Sequence, residues 1–218
     1  MCKQQGAINV DDLQQHVHDF SLLALDSLKF ISSPSKILII GLGAGIIPRN
    51  FFEILPEVHI DIIEIDPEII SIAKRFFFFE PNNRMVVHRG DAYVIVHELI
   101  DKYDIVVMDA FMGNYIPFPL MSVEFIRQLK KIMADKAVVS INCSHFHPSF
   151  SSQVNTYREV FGNNIYRLDG IRNSTSTTLY VLKGDLEAEN LDDVFAFPSK
   201  VDITPEIKNA KIFTVLRP

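Results

Sequence analysis

Glycines and acidic residues recur in this sequence directly after apolar runs. The run Ile37–Ile40 is followed by three closely spaced glycines, and later runs are followed by single carboxylates. Glycines in a turn let a ligand approach the backbone, and a carboxylate can accept hydrogen bonds from both hydroxyls of a ribose. The pattern therefore favours a nucleoside site. The residues that we expect to form it are Gly41, Gly43, Gly45, Glu64, Asp66, Asp91 and Ala92.

The spacing of the glycines separates this loop from that of dinucleotide-binding proteins. Their fingerprint is G-x-G-x-x-G, and Ile46 stands here in place of its third glycine. The order G-x-G-x-G is instead typical of enzymes that bind sulfonium nucleosides, where no pyrophosphate has to be held. Glu64 follows Gly45 at the spacing of about 20 residues that suits ribose binding, and Asp91, beside Ala92, could accept a hydrogen bond from an adenine amino group.

Asp109 is the candidate catalytic residue. It follows the apolar run Ile105–Met108 and precedes a loop that contains Gly113 and Pro117. A carboxylate at the end of a buried strand could orient or deprotonate an attacking amine, or attract a cation. Two alternatives stay open: loop amides could hold Asp109, and the acids after the other strands, Asp66 above all, could cap helices.

A metal site is not expected. Cys143, His145 and His147 alternate after a strand pattern, but no matched second cluster accompanies them. Asn142, just before them, could line the cleft or cap a turn.

Strand and helix patterns alternate along the chain and would place these residues at one edge of a sheet. Strand patterns cover Ile37–Ile40, His59–Ile65, Arg84–His88, Tyr103–Met108, Ala137–Ile141, Thr177–Leu182 and, with no clear place, Lys211–Leu216. Helix patterns cover Leu13–Leu28, Pro48–Leu55, Pro67–Phe77, Ala92–Leu99, Ser122–Met133 and Phe150–Phe161. This alternation predicts an α/β fold, a doubly wound, mostly parallel, Rossmann-like sheet with helices on both faces.

The composition is that of an ordinary globular chain. The 218 residues are 48% hydrophobic and 22% charged, which excludes disordered and fibrous classes. No apolar run approaches the roughly 20 residues that span a bilayer, and no secretory signal is expected. The net charge of −6, with no basic block, argues against nucleic acid as a partner. Two cysteines, Cys2 and Cys143, cannot build a disulfide framework and favour the cytoplasm.

Several segments, in this order and spacing, resemble the spermidine synthase family. They are ILIIGLGAGIIPR, IDIIEIDPEI, RGDAYV, YDIVVMDAFMGNYIP and SVEFIRQLKKIM, with QGAIN similar to the family's entry to its catalytic domain. The DAF-x-G-x-x-IP loop is similar to that of the bacterial spermidine-synthase-like branch. The resemblance covers roughly residues 5–183. It implies the class I S-adenosylmethionine-dependent methyltransferase fold, a seven-stranded sheet with a reversed hairpin at one edge.

The resemblance also implies an activity. It assigns ribose binding to Glu64, adenine contact to Asp91 and catalysis to Asp109, with S-adenosylmethionine or its decarboxylated form as co-substrate and an amine or other nucleophile as acceptor. Aminopropyl transfer within polyamine biosynthesis is the expected function. Neither a membrane nor nucleic acid is an expected partner. Members of the family form dimers, so the resemblance also allows a homodimer.

The strand and helix patterns, together with this resemblance, predict the domain boundaries. Residues 1–31 would form a helical lead-in, where the β-hairpin domain of the family is largely absent. Residues 32–184 would form the nucleoside-binding catalytic domain, and residues 185–218 an extension packed on the same domain.

Two substitutions distinguish this chain from polyamine-forming members of the family. Ala44 and Met112 stand where those members have carboxylates, and each missing carboxylate forfeits a charge-assisted hydrogen bond of about 1.5–3 kcal/mol to a cationic acceptor. We therefore expect weak spermidine formation. An S-adenosylmethionine-dependent methyltransferase and a non-catalytic nucleoside-binding module are the two alternatives.

Overall fold

The computed structural model describes residues 19–113, 115–169, 177–186 and 213–215 of the chain. The helices are α1 Asp19–Leu25, α2 Ile46–Ile54, α3 Pro67–Phe76, α4 Ala92–Glu98, α5 Val123–Ile132 and α6 Phe150–Phe161. The strands are β1 Lys36–Ile40, β2 His59–Glu64, β3 Met85–Arg89, β4 Tyr103–Met108, β5 Met133–Cys143, β6 Ile165–Asp169, β7 Thr177–Lys183 and β8 Phe213–Val215. Short 3₁₀ turns cover Asp26–Lys29 and Phe118–Met121.

The strands of the described residues form one sheet in the order β3-β2-β1-β4-β5-β7-β6-β8. Neighbours from β3 to β5 are parallel, whereas β7 runs antiparallel to both β5 and β6. The short β8 is added antiparallel to β6 at the edge. The predicted doubly wound, mostly parallel seven-stranded sheet with a reversed hairpin is confirmed, with β8 as an eighth strand.

Two apolar cores lie on the two faces of this sheet. Leu23 of α1, Phe51 of α2 and Ala73 of α3 are buried on one face. Helices α4, α5 and α6 cover the other face, where Phe125 and Tyr157 are buried. Such burial of unbroken β-branched runs on both faces is what parallel sheets require.

The first helix is tied to the middle of the sheet. The hydroxyl of Tyr180 in β7, fully buried, donates a hydrogen bond of 2.5 Å to the carbonyl oxygen of Leu23 in α1. The ring of Phe30 packs at 5.4 Å from that of Tyr180. The described part of the lead-in is therefore part of the core rather than an appendage.

The structure differs from the sequence prediction at three places. The strand β6 was not predicted, although Ile165–Asp169 follows a turn at Gly162 and carries β-branched and aromatic residues. Within the described residues the first helix covers Asp19–Leu25 and passes into a 3₁₀ turn at Asp26–Lys29 before the predicted end at Leu28, and its predicted start at Leu13 lies outside the described residues. The strand predicted over Ala137–Ile141 extends from Met133 to Cys143. Across the described segments, no helix is long and apolar enough to cross a membrane.

Candidate active site

A crevice for a ligand is expected where the chain leaves neighbouring strands toward opposite faces of the sheet. Here β1 pairs in parallel with β4, through Ile40 and Met108 at their carboxyl ends. The chain leaves β1 for α2 on one face and leaves β4 for α5 on the other. The glycine loop and Asp109 therefore lie at the same edge of the sheet.

The glycine loop is held close to the end of β4. Gly41 has a φ of +101°, and a Cβ on it would lie 2.4 Å from the carbonyl oxygen of Asp109. A Cβ on Gly45 would lie 2.6 Å from the ring of Phe79. Gly43, with a φ of +54°, differs because a Cβ there would meet nothing within 4 Å. The loop therefore packs against protein at its two ends and is open at its centre.

Glu64 fixes the loop to the end of β2. Its side chain is buried, and Oε2 accepts a hydrogen bond of 2.9 Å from the backbone N–H of Leu42 in the glycine loop. Oε1 accepts another, also 2.9 Å, from the backbone N–H of Asp66. Each carboxylate oxygen has a second lone pair, so both oxygens can accept a further hydrogen bond.

Asp66 and Asp91 cap helices. Asp66 accepts a hydrogen bond of 2.8 Å from the backbone N–H of Glu68 at the start of α3. Asp91 accepts one of 2.9 Å from the backbone N–H of Tyr93 at the start of α4, and Ala92 beside it is buried. The capping interpretation holds for both residues. A ligand role for them stays a prediction.

Asp109 lies at the end of β4, half-buried beside the glycine loop. Its backbone N–H continues the sheet by donating to the carbonyl oxygen of Ile40 at 2.8 Å. Oδ1 accepts a hydrogen bond of 2.9 Å from the side-chain amide of Asn142 in β5. Burial, together with the negative charge of Glu64, raises the pKa of Asp109 to about 7, although the amide of Asn142 lowers it. Asp109 is therefore suited to take up and release a proton near neutral pH.

The two positions that lack the expected carboxylates lie in the loops that follow β1 and β4. Ala44 is buried in the glycine loop. Met112 is 59% exposed in the loop after Asp109, where its backbone N–H donates to the carbonyl oxygen of Tyr115. Neither side chain can pair with a cation.

Cys143 at the end of β5 and His145 shortly after it contact β7. Cys143 Sγ lies 3.2 Å from the carbonyl oxygen of Thr177, and His145 Nδ1 lies 2.6 Å from the hydroxyl of the same threonine. Among the described residues, no group of three or more His, Cys, Asp and Glu side chains is placed to hold a metal ion.

Two features of the site were not predicted. Asn142, for which the sequence allows a place in the cleft or at a turn, contacts the candidate catalytic carboxylate because of the parallel register of β4 and β5. Phe79, which follows α3, is buried and packs close to Gly45, whereas Phe76 and Phe78 are exposed.

Comparison with known proteins gives a consistent result. Residues 20–167 match the spermine/spermidine synthase domain. A polyamine aminopropyltransferase of Vibrio vulnificus (strain CMCP6) is 41% identical over 143 residues, which are 64% of this chain and 48% of that protein. The chain thus spans about half the length of this relative.

Solved structures share the fold. A spermidine synthase in complex with the transition-state analogue AdoDATO superposes with a TM-score of 0.72 at 18% identity, covering 91% of this chain and 72% of that chain. Human methyltransferase-like protein 13, in complex with SAH, gives a TM-score of 0.68 at 20% identity and covers 87% of each chain. Because the family domain matches more than half of the sequence, this chain belongs to the spermine/spermidine synthase family.

Proposed function

We propose that this protein is a transferase that binds an S-adenosyl nucleoside and transfers an aminopropyl group to an amine acceptor. The observation that carries the proposal is that the glycine loop, Glu64 and Asp109 lie together at the carboxyl ends of β1, β2 and β4. There an open glycine, Gly43, lies in the loop that Glu64 fixes, and Asp109 lies against the same loop. The family membership and the aminopropyltransferase activity named for the Vibrio relative support it.

The residues present fit a nucleoside. The space beside Gly43 admits a ligand against the backbone, and the two oxygens of Glu64 keep lone pairs for ribose hydroxyls. Asp91 and Ala92 are our candidates for the adenine side, and Gly41, Gly45 and Asp66 for shaping the loop and its neighbourhood. SAH and AdoDATO, the ligands of the two structural neighbours, agree with this class of compound.

Asp109 would act on the acceptor. A bound decarboxylated donor supplies an electrophilic carbon next to a sulfonium, and when the amine nitrogen forms its bond to that carbon the C–S bond breaks and sulfur keeps the electron pair. The attacking nitrogen must be neutral, so a proton has to leave it. Asp109, with its pKa raised by burial to about 7, can accept that proton and can also orient the amine.

Methyl transfer from S-adenosylmethionine is the second candidate. The observation in its favour is Ala44, buried in the glycine loop where polyamine-forming members of the family carry an acid. Without that charge the loop loses one reason to prefer the decarboxylated donor. The structural likeness to human methyltransferase-like protein 13 agrees with this alternative.

Donor preference separates the two candidates. Calorimetric titration would use decarboxylated S-adenosylmethionine, S-adenosylmethionine, methylthioadenosine and S-adenosylhomocysteine. Preference for the decarboxylated donor supports aminopropyl transfer, and preference for S-adenosylmethionine supports methyl transfer. Binding of none of them by the folded protein would overturn both, whereas binding without turnover on any acceptor would leave a nucleoside-binding module.

Acceptor use can be tested with product formation from decarboxylated S-adenosylmethionine and putrescine. A dication in the crevice needs two negative partners, and Asp109 supplies one, so wild-type turnover should be weak. The double variant Ala44→Asp with Met112→Asp should raise it. Efficient turnover by the wild type would show that the missing carboxylates do not determine the acceptor.

Three further expectations complete the proposal. Residues 32–184 would carry the nucleoside site, with residues 1–31 as a lead-in and residues 185–218 as an extension. A cytoplasmic location is supported by the low cysteine content. A homodimer is also expected from the family, and light scattering would measure the mass of the particle in solution.

A further inference from the structure

Asn142 has a fixed place beside the candidate catalytic carboxylate. Its neighbour Ile141 pairs with Met108 across the parallel strands β5 and β4, so Asn142 and Asp109 follow that pair on adjacent strands. On its other side Asn142 pairs with Thr178 of β7. Its amide therefore projects from the interior of the sheet rather than from a loop, and it donates to Asp109 Oδ1 at 2.9 Å.

We infer that Asn142 is a positioning residue that orients Asp109 and sets its proton affinity, holding Oδ1 so that Oδ2 is presented to the acceptor nitrogen. This inference rests on the proposed role of Asp109. Because Asn142 lies on a central strand, its side chain loses little conformational freedom when it donates to Asp109. Such rigid support keeps a reactive carboxylate in one orientation.

The surroundings of Asp109 explain why this one hydrogen bond matters. From β2, the charge of Glu64 acts against ionisation, and burial acts in the same direction. From the loop after β1, the contact is with the backbone at Gly41. Among the described residues, the amide of Asn142 is the side-chain donor to this carboxylate. It therefore opposes the two effects that favour the protonated form.

An amide can serve both protonation states of Asp109. Its NH₂ donates to the carboxylate, and after a half-turn of the amide its oxygen can accept from the protonated acid. A leucine of nearly the same shape can do neither. A carboxyl group in its place would share a proton with Asp109.

The first test measures protonation directly, without an acceptor. Protein labelled with ¹³C at the aspartate carboxyl groups is titrated by NMR, and the Asp109 resonance is assigned by its loss in Asp109→Asn. In Asn142→Leu the Asp109 midpoint should rise by about one pH unit, because one charge-assisted hydrogen bond is lost. The matched control Asn163→Leu, in an exposed turn, should leave it unchanged. An unchanged midpoint in folded Asn142→Leu would overturn the inference.

A second variant covers the case in which Asn142→Leu does not fold. In Asn142→Asp the two carboxyl groups should titrate as a coupled pair, one step lying well above the wild-type midpoint. Two independent titrations near pH 4 would contradict the inference.

Activity and binding separate this inference from the proposed function. With whichever amine the wild type uses, Asn142→Leu should lower kcat about tenfold at pH 7 and move the acid limb of its pH profile upward, with methylthioadenosine affinity unchanged. An unaltered profile would overturn the role of Asn142 alone. If instead wild-type protein binds no nucleoside, the proposed function fails while the NMR result on Asn142 still stands.

Discussion

Glu64, at the end of β2, both positions the glycine loop and influences the protonation of Asp109. One oxygen of Glu64 accepts from the backbone N–H of Leu42 in the glycine loop, and the other accepts from the backbone N–H of Asp66 just after β2. The side chain therefore fixes the position of the loop relative to β2 before any ligand binds. Its charge also raises the pKa of Asp109. A carboxylate that is already oriented by backbone donors can accept ribose hydroxyls with little reorganisation.

Replacement of Glu64 by glutamine should weaken nucleoside binding. The amide group that replaces one oxygen cannot accept a hydrogen bond, so either a backbone N–H or a ribose hydroxyl loses its partner. We expect methylthioadenosine affinity to fall at least tenfold, about 1.5–3 kcal/mol, by calorimetry. Glu68→Gln, exposed on α3, is the control. Undiminished affinity in folded Glu64→Gln would remove Glu64 from the ribose site.

Asp109 should reduce stability at neutral and alkaline pH. Its pKa is raised by burial to about 7, above the ordinary value of about 3.9, so the folded state binds a proton more tightly and stability falls as the pH rises from about 4 to 7. Asp109→Asn should raise the free energy of unfolding at pH 8 by the order of 1–4 kcal/mol and change it little near pH 4. Urea unfolding at both pH values checks this. A variant less stable than wild type at pH 8 would contradict the assigned environment.

Among the elements, the loop between β1 and α2 combines tight packing with open space. Its ends at Gly41 and Gly45 lie close to Asp109 and Phe79, whereas a Cβ at its centre, Gly43, would meet nothing within 4 Å. Substitutions at neighbouring glycines of this one loop should therefore have different consequences.

Gly43→Val should keep the fold and lose the nucleoside. The left-handed backbone costs about 1–2 kcal/mol with a side chain, but a Cβ at this position would meet no protein atom within 4 Å. Gly41→Ala should instead destabilise the protein, because its Cβ would collide with the carbonyl of Asp109. Thermal unfolding and methylthioadenosine titration are measured for both variants. Normal binding by Gly43→Val would place the ligand elsewhere.

A polar cluster also joins the four strands β1, β2, β3 and β4. Asp61 of β2 accepts from the Tyr103 hydroxyl at 2.9 Å, His88 Nε2 lies at 2.7 Å, and Lys36 Nζ at 3.2 Å. Burial opposes the charge on Asp61, yet these partners together lower its pKa. The cluster holds β1, β2, β3 and β4 in register at a point away from the crevice.

Asp61→Asn should lower stability in a pH-dependent way. Because the folded pKa of Asp61 is lowered, its contribution is present above the unfolded value of about 3.9 and is lost as the pH falls through the folded value. We expect a loss of about 1–3 kcal/mol at pH 7 that shrinks below about pH 4, measured by urea unfolding. The control is Asp101→Asn, a more exposed partner of Lys36. An equal loss at all pH values would contradict this account.

At the scale of the whole molecule, long apolar runs made the parallel half of the sheet predictable. Ile37–Ile40 and Ile105–Met108 are unbroken apolar runs buried on both faces, and the glycine turn after the first and Asp109 after the second mark where they end. β6 was missed because its short mixed segment, with Arg167 inside it, gains its strand character from pairing with β7. The contact between Asn142 and Asp109 depends on register across strands, which no local pattern encodes.

Removal of residues 187–218 should leave nucleoside affinity within about twofold. β8 lies at the sheet edge, with β5, β7 and β6 between it and β4. Loss of β8 leaves β6 with an unpaired edge, so the truncated chain should self-associate more readily, as light scattering would show. A folded truncated chain that no longer binds methylthioadenosine would place the removed segment in the site.

The hydrogen bond from Tyr180 to Leu23 has a consequence for synthesis on the ribosome. The two residues are 157 positions apart, so α1 is made long before the strand to which it is tied. Until β7 leaves the exit tunnel, the apolar face of α1 lacks its final partner. Long-range closure of this kind slows folding and prolongs the exposure of apolar surface. The strands β1 to β4 can therefore assemble early, while packing of the first helix against β7 waits until Tyr180 has been synthesised.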